Sequence, residues 1–146
     1  MDSSSKIGMV KTSGSNLNVR SSASSSSKII TKLKNNSYIT IISTSGNYHK
    51  VEYQDNKYGY VHKSYISNVS STIRKVNATN LNVRSGASTT YKVIDKLDKN
   101  DYVATLSLSN NFYKIVYEGS SVGYVHKSYL VDTYTYSSKS LNVVSY

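Results

Sequence analysis

Two tandem copies of a small β-barrel are the all-β fold that this 146-residue sequence predicts. The first observation is an internal repeat. Asn-Leu-Asn-Val-Arg-Ser at residues 16–21 returns at 80–85, and Gly-Tyr-Val-His-Lys-Ser-Tyr at 59–65 returns at 123–129, both 64 residues later. The second is a series of short apolar runs bounded by turn residues, and the third is the lack of sustained helical periodicity. Together they indicate two copies of one all-β unit of about 60 residues.

The strands of each unit are predicted in order from their patterns. Leu17 and Val19 alternate with polar residues, as in a half-buried strand. Runs rich in tyrosine and β-branched residues predict four further strands, at residues 29–33, 38–42, 48–53 and 58–62. The last two flank a polar turn and form a predicted hairpin. A core this small is marginal alone, so docking of the two copies is expected to stabilise both.

The apolar positions of these strands predict the core of the first unit and, 64 residues later, that of the second. The predicted core residues of the first unit are Leu17, Val19, Ile30, Leu33, Val51, Val61 and Ile66.

Domain boundaries follow from the repeat and from Ser-rich stretches. The predicted division is a linker or start at 1–5, a first unit at 6–68, a short linker at 69–73, a second unit at 74–133 and a C-terminal segment at 134–146. In that last segment, Ser-Leu-Asn-Val at 140–143 echoes the opening of each unit, with Val144 where arginine would stand. The segment is therefore expected to be either a partial third repeat or a terminal strand.

Composition limits the possible functions. The net charge of +10 favours anionic partners, which include nucleic acid, anionic membranes and cell-wall polymers. The absence of cysteine excludes disulfides, thiolate nucleophiles and cysteine-based metal sites. The chain has 15 tyrosines and no tryptophan, and tyrosine suits both strands and half-buried binding surfaces.

Catalytic constellations are not evident. Of the three histidines, His62 and His126 occupy equivalent positions in the two copies, whereas His49 corresponds to Tyr113. A residue repeated in this way is expected to belong to the structure or the binding face of the unit. No acid pair recurs in both copies, and no metal-ligand spacing or phosphate loop is present. The sequence therefore predicts no catalytic residue, no metal and no cofactor.

Strand alternation places candidate ligand-binding residues on the outer face. If Val61 points inward, Tyr60 and His62 point outward, as do their counterparts Tyr124 and His126. Tyr48 and Phe112 begin a strand near the same groove, where they either contact ligand or seal the end of the barrel.

A second pair of candidates follows the first predicted strand. Arg20 and Arg84 point away from the core, and each is expected to pin the following loop by hydrogen bonds to carbonyl oxygens. Contact with a ligand carboxylate is the alternative role.

Three motifs, each present twice, resemble the bacterial SH3 domain. They are Leu-Asn-Val-Arg-Ser followed by a Ser/Thr-rich loop (17–27 and 81–90), an aromatic residue opening an alternating strand (48–51 and 112–115), and Gly-Tyr-Val-His-Lys-Ser-Tyr with an aliphatic residue (59–66 and 123–130). Where the family often has tryptophan, this chain has tyrosine or phenylalanine. The resemblance implies two tandem SH3-like barrels, each of roughly five to seven strands.

The resemblance also implies a function. Such domains commonly sit in tandem beside a catalytic domain in phage endolysins and autolysins, bind peptidoglycan, and deliver the enzyme to the wall. The expected role is therefore a non-catalytic, monomeric module at the cell wall or outside the cell, which binds peptidoglycan or an associated anionic wall polymer of a Gram-positive bacterium. Neither nucleic acid nor membrane is expected as a partner. The alternatives are a nucleic-acid-binding tandem barrel, favoured by the basic charge, and a pair of protein-interaction domains for Pro-rich peptides.

Overall fold

The computed structural model describes residues 1–133 and contains fourteen strands and two short 3₁₀ turns. The strands of the first unit are β1 (Lys6–Val10), β2 (Leu17–Arg20), β3 (Ile29–Leu33), β4 (Tyr38–Ser45), β5 (Tyr48–Gln54), β6 (Lys57–His62) and β7 (Ile66–Val69). Those of the second are β8 (Thr72–Val76), β9 (Leu81–Arg84), β10 (Val93–Leu97), β11 (Tyr102–Ser109), β12 (Phe112–Tyr117), β13 (Ser121–His126) and β14 (Leu130–Asp132). The 3₁₀ turns, Lys63–Tyr65 and Lys127–Tyr129, follow β6 and β13.

Both units have the same antiparallel topology. Each forms one seven-stranded sheet, in the order β3-β2-β6-β5-β4-β1-β7 and β10-β9-β13-β12-β11-β8-β14. The prediction of an all-β chain with two tandem barrels is therefore confirmed. The predicted partial repeat or terminal strand at residues 134–146 lies outside the described residues.

Each sheet encloses a small apolar core. Most of the predicted core residues are buried or pack against it, including Leu17, Val19, Val51 and Val61. The prediction was wrong for Ile30 and its counterpart Ile94, which are 41% and 44% exposed. Both lie on the edge strands β3 and β10, which pair with one neighbour only and are left partly uncovered.

A third apolar cluster joins the two units. Only Ser70 and Ser71 separate β7 from β8. The cluster contains residues from both units, buried or partly buried: Met1, Ile7, Tyr38 and Val69 from the first, and Ile73, Tyr102, Ala104, Leu106, Val116 and Val122 from the second. The expected docking of the two marginal cores is thus present, and it provides apolar burial that neither unit has alone.

Polar contacts also cross this docking face. The hydroxyl of Thr40 donates to the carbonyl oxygen of Gly119 at 2.8 Å, and the hydroxyl of Ser120 donates to the carbonyl oxygen of Tyr53 at 2.7 Å. Glu52 is only 3% exposed beside Gly119, where its Oε2 accepts from the backbone N–H of Asn56 at 2.9 Å. These directional bonds fix how one unit sits on the other.

Candidate functional site: two equivalent clefts

Each unit carries a cleft where the β1–β2 or β8–β9 loop meets the end of the central hairpin and the 3₁₀ turn. The first cleft has a volume of about 290 Å³ and is lined by Thr12, Ser15, Asn16, Leu17, Asn18, Arg20, Tyr48, His62 and Tyr65. The second has a volume of about 390 Å³ and is lined by Ala78, Thr79, Asn80, Leu81, Asn82, Arg84, Thr89, Phe112, His126, Ser128 and Tyr129. Eight positions of the two linings correspond at the repeat distance of 64 residues.

An imidazole ring flanked by two aromatic rings forms one side of the first cleft. The β5–β6 register places Tyr48 opposite His62, with ring centroids 5.2 Å apart and an interplanar angle of 71°. The 3₁₀ turn then brings Tyr65 to His62 as well, with ring centroids 5.9 Å apart and an interplanar angle of 63°. Both are edge-to-face arrangements, which aromatic rings prefer over a face-to-face sandwich.

The second cleft repeats this arrangement with one substitution. Phe112 lies 5.1 Å from His126 at 81°, and Tyr129 lies 5.9 Å from it at 62°. The near identity of the distances shows that the repeat preserves the geometry as well as the residues. Phe112 lacks the hydroxyl of Tyr48, so the second cleft has one hydrogen-bonding group fewer at this position.

Both histidines are held in one tautomer by the following turn. His62 Nδ1 accepts from the backbone N–H of Ser64 at 3.2 Å and lies 2.7 Å from its hydroxyl oxygen. His126 makes the same contacts with Ser128, at 3.1 and 2.7 Å. Because a backbone N–H can only donate, Nδ1 is the acceptor, and Nε2 carries the proton of the neutral ring. Each cleft therefore contains an oriented N–H donor between two rings.

The two arginines hold the loop beside each cleft. Arg20 Nη1 donates to the carbonyl oxygen of Ser27 at 2.8 Å. Arg84 Nη1 donates to those of Tyr91 at 2.9 Å and Thr89 at 3.2 Å. The predicted loop-pinning role is thus confirmed, and both arginines also line their cleft.

The remaining predicted site residues, Tyr60 and Tyr124, lie beside the clefts rather than in their linings. Tyr60 is opposite Arg20 on one side and Lys50 on the other, half-buried on the outer face of the sheet. The structure therefore groups the predicted aromatic, histidine and arginine residues of each unit and places the second tyrosine of the hairpin next to that group.

Sequence reasoning missed Tyr65 and Tyr129 as members of the cleft, although both are nearly half exposed against the histidine. The available signal was the recurrence of tyrosine three residues after His62 and His126. That spacing was interpreted only as the close of a structural motif. Its meaning depends on the 3₁₀ turn, which folds the tyrosine back toward the ring.

Acidic residues are segregated from both clefts. Neither lining contains an aspartate or glutamate. Four acids instead line a separate hollow: Asp55, Asp98, Asp101 and Glu118. Burial and the nearby charges of Asp95, Asp55, Asp101 and Asp98 raise the pKa of Glu118 above its ordinary value. The clefts are consequently free of local negative charge in a protein of net charge +10.

Residues 1–133 contain neither a cluster of metal-ligating side chains nor a membrane-spanning helix. This part of the chain contains no group of three or more histidine, cysteine, aspartate or glutamate side chains placed to hold a metal ion. None of its helices has the length and apolar character needed to cross a membrane.

Comparison with known families gives a clear match. The family model described as the bacterial SH3 domain matches residues 15–67 and again residues 79–131, which together make up more than half of the chain. The two matched segments contain both aromatic–histidine groups. No curated protein sequence matches this chain.

Solved structures resemble the chain at low sequence identity. NlpC2 from Trichomonas vaginalis is 22% identical with a TM-score of 0.44, over 87% of this chain and 48% of that protein. An NlpC/P60 family protein from Bacillus cereus is 11% identical with a TM-score of 0.35, over 86% and 55%. The chain thus spans about half the length of these two proteins. The structure named endolysin LysPBC5 CBD is 9% identical with a TM-score of 0.34, over 86% of this chain and 92% of that one.

Proposed function

Because this chain belongs to the bacterial SH3 domain family, we propose that it binds peptidoglycan through its two clefts and targets an attached peptidoglycan hydrolase to the Gram-positive cell wall. The observation that supports this most is the duplication of the cleft. Both units contain a histidine beside two aromatic rings, held in the same tautomer, and an arginine that holds the adjacent loop. A module that binds a polymer of repeating units gains apparent affinity from such duplicate sites.

The chemistry of the clefts suits an amide-rich ligand. Their polar groups are mostly asparagine side chains, hydroxyls and the histidine Nε2–H, and the apolar surface comes from leucine and aromatic rings. Such groups match peptide bonds and N-acetyl groups, which both donate and accept hydrogen bonds beside small apolar substituents. Peptidoglycan carries both kinds of group. Tyr60 and Tyr124 flank the clefts and are proposed as further contacts.

Two shallow sites bind a polymer more tightly together than either does alone. The docking face holds the units in a fixed arrangement, so binding at one cleft raises the local ligand concentration at the other. Linkage of this kind gains about 10² to 10⁴ in apparent affinity without new contacts. The net charge of +10 adds a salt-sensitive attraction to anionic wall polymers.

In this proposal the chain itself is not catalytic and works as a monomer at the cell wall or outside the cell. The hydrolase activity belongs to a domain elsewhere in a longer protein. Neither nucleic acid nor membrane is a partner, and neither a metal nor a cofactor is required.

Co-sedimentation with purified Gram-positive cell walls tests the proposal. The chain is incubated with walls before and after removal of teichoic acid, across a salt series, and the bound fraction is measured. Binding that persists on stripped walls at high salt supports peptidoglycan as the ligand. Loss on stripping makes the anionic polymer the ligand. The absence of binding to any wall contradicts the proposal.

A basic, tyrosine-rich chain is also suited to nucleic acid, and the charge of +10 is the observation that favours this second function. The same salt series separates the two. Binding to nucleic acid depends on released counterions and falls steeply as salt rises, by a factor of about 10³ or more between low and physiological salt for six or more phosphate contacts. Wall binding through uncharged amide contacts falls much less.

A further inference from the structure

The loop between β9 and β10 in the second unit holds an exposed aromatic ring that the first unit lacks. Tyr91 is 51% exposed. One face of its ring lies against the backbone of Gly86, where an added Cβ would be 2.7 Å from three ring carbons. Only glycine leaves room for this stacking. The corresponding residues of the first unit are Ser27 and Ser22, so neither the ring nor the glycine is a general feature of the repeat.

This loop is also tied down at several points. Arg84 holds the carbonyl oxygens of Thr89 and Tyr91, and Asn110 Nδ2 donates to the carbonyl oxygen of Ala87 at 3.1 Å. In the first unit the position of Asn110 is occupied by Gly46, which has no side chain to make that bond. An exposed ring on a loop fixed in this way loses little conformational entropy when a ligand stacks on it.

The loop is continuous with the second cleft. Thr89 and Arg84 both line that cleft, and its volume of about 390 Å³ exceeds the 290 Å³ of the first, whose lining includes no residue of the equivalent loop. Tyr91 lies outside the cleft lining, so its free face is presented as an open, flat surface.

We propose that Tyr91 stacks on a sugar ring of the peptidoglycan glycan strand, while the adjoining cleft takes the amide-rich portion beside it. This inference rests on the proposed function. An aliphatic side chain needs an enclosing pocket to bury its surface, whereas the flat C–H face of a pyranose ring matches an open aromatic face. The hydroxyls of Ser88, Thr89 and Thr90 on the same loop offer hydrogen bonds to sugar hydroxyls. The second unit is therefore the glycan-reading unit of the pair.

Titration with two soluble probes tests this assignment. Chitotetraose, the tetramer of N-acetylglucosamine, represents the glycan, and a synthetic stem peptide represents the peptide. Tyr91→Ala is expected to weaken chitotetraose binding by about five- to tenfold, in keeping with the loss of one aromatic contact, and to leave stem-peptide binding unchanged. Tyr91→Phe keeps the ring and is expected to stay within about twofold of the parent chain.

Exchange between the units gives a second test that does not depend on one alanine variant folding. The double variant Gly86→Ser with Tyr91→Ser takes the residues that the first unit already has, and it is expected to lose chitotetraose binding as Tyr91→Ala does. Unchanged chitotetraose binding in both variants, a Tyr91 effect confined to the stem peptide, or an equal loss in Tyr91→Phe would each overturn the stacking role.

Wall binding by the parent chain separates this inference from the proposed function. A parent chain that binds walls but not chitotetraose contradicts the glycan contact alone. A parent chain that binds chitotetraose through Tyr91 but no wall supports the contact and contradicts the targeting function. Binding to neither contradicts both.

Discussion

The two units share one strand order and one cleft geometry, and two of the surface regions in which they differ change their contacts. One is the docking face, where Glu52 and Asp55 of the first unit correspond to Val116 and Gly119 of the second. The other is the loop beside the cleft, where Ser27 corresponds to Tyr91. The docking surface of the first unit contacts a different surface on the second unit, so the two surfaces need different residues. The comparison shows that a duplicated unit can keep its core and cleft while its contacts with the neighbour diverge.

The largest effect is expected when the docking residue of the second unit is replaced by that of the first. Val116 is fully buried in the apolar cluster, so Val116→Glu places a carboxylate among apolar side chains. We expect a loss of about 3–5 kcal/mol in the free energy of unfolding, measured by urea denaturation at neutral pH.

The reverse exchange, Glu52→Val, is the matched control. It removes a carboxylate whose Oε1 is buried and has no hydrogen-bond partner among residues 1–133, but it also deprives the backbone N–H of Asn56 of its acceptor. These effects oppose each other, so we expect a change within about 1 kcal/mol. A cost for Val116→Glu no greater than that for Glu52→Val would show that the two docking surfaces are interchangeable.

A smaller loss is expected at the turn that the second unit places against Glu52. Gly119 has a φ of +82°, and an added Cβ would be 2.8 Å from Glu52 Cγ. Gly119→Asp, which copies the first unit, therefore combines backbone strain, a steric clash and a like charge, and is expected to cost about 2–3 kcal/mol of unfolding free energy. The exposed Asp55→Gly is the control, with an expected change of about 0.5 kcal/mol or less. Equal costs in the two variants would contradict the close approach.

Substitutions at equivalent positions of the two clefts are expected to have equal effects on binding, unlike the exchanges at the docking face. His62→Ala and His126→Ala each remove the ring between two aromatic neighbours, so each is expected to weaken binding to purified walls about tenfold. The double variant also loses the benefit of linkage, and its binding is expected to fall by a further factor of about ten or more.

His49→Ala is the internal control for this comparison. His49 lies outside both cleft linings, with its Nδ1 2.7 Å from the hydroxyl of Thr44. Its removal is expected to leave wall binding unchanged. A loss in His49→Ala as large as that in His62→Ala would contradict binding at the cleft.

Features that depend only on the strand pattern within one unit could be predicted from the sequence. Strand alternation predicted the outward face of His62 and the buried positions of Val19 and Val61, because these depend on the sheet that contains them. The same pattern failed for Ile30. Alternation and β-branching are the same on edge and central strands, and only the strand order shows which strand has neighbours on both sides.

The features that depend on contact between units or loops were not predictable. The burial of Glu52 cannot be predicted from the residues around it in the sequence. It is covered by the turn at Gly119, which belongs to the other unit. Likewise, nothing in the sequence indicates that the ring of Tyr91 lies against the backbone of Gly86. Tyr65 needed the 3₁₀ turn to bring it to His62.

The smallest expected effect concerns the acidic hollow beside the second unit's turn. Burial, followed by the charges of Asp95, Asp55, Asp101 and Asp98, raises the pKa of Glu118. The folded chain therefore retains this proton to a higher pH than the unfolded chain, and stability falls as the pH rises through that range. Glu118→Gln copies Gln54 of the first unit and is expected to gain a few tenths of a kcal/mol at pH 7, because exposure screens the charge, and nothing near pH 3. Asp2→Asn is the opposite case, since hydrogen bonds from Ser4 lower the pKa of Asp2, and it should lose stability at neutral pH. Urea unfolding across this pH range checks both signs, and a gain for Glu118→Gln that persists at low pH would mean that the side chain acts through packing and not through charge.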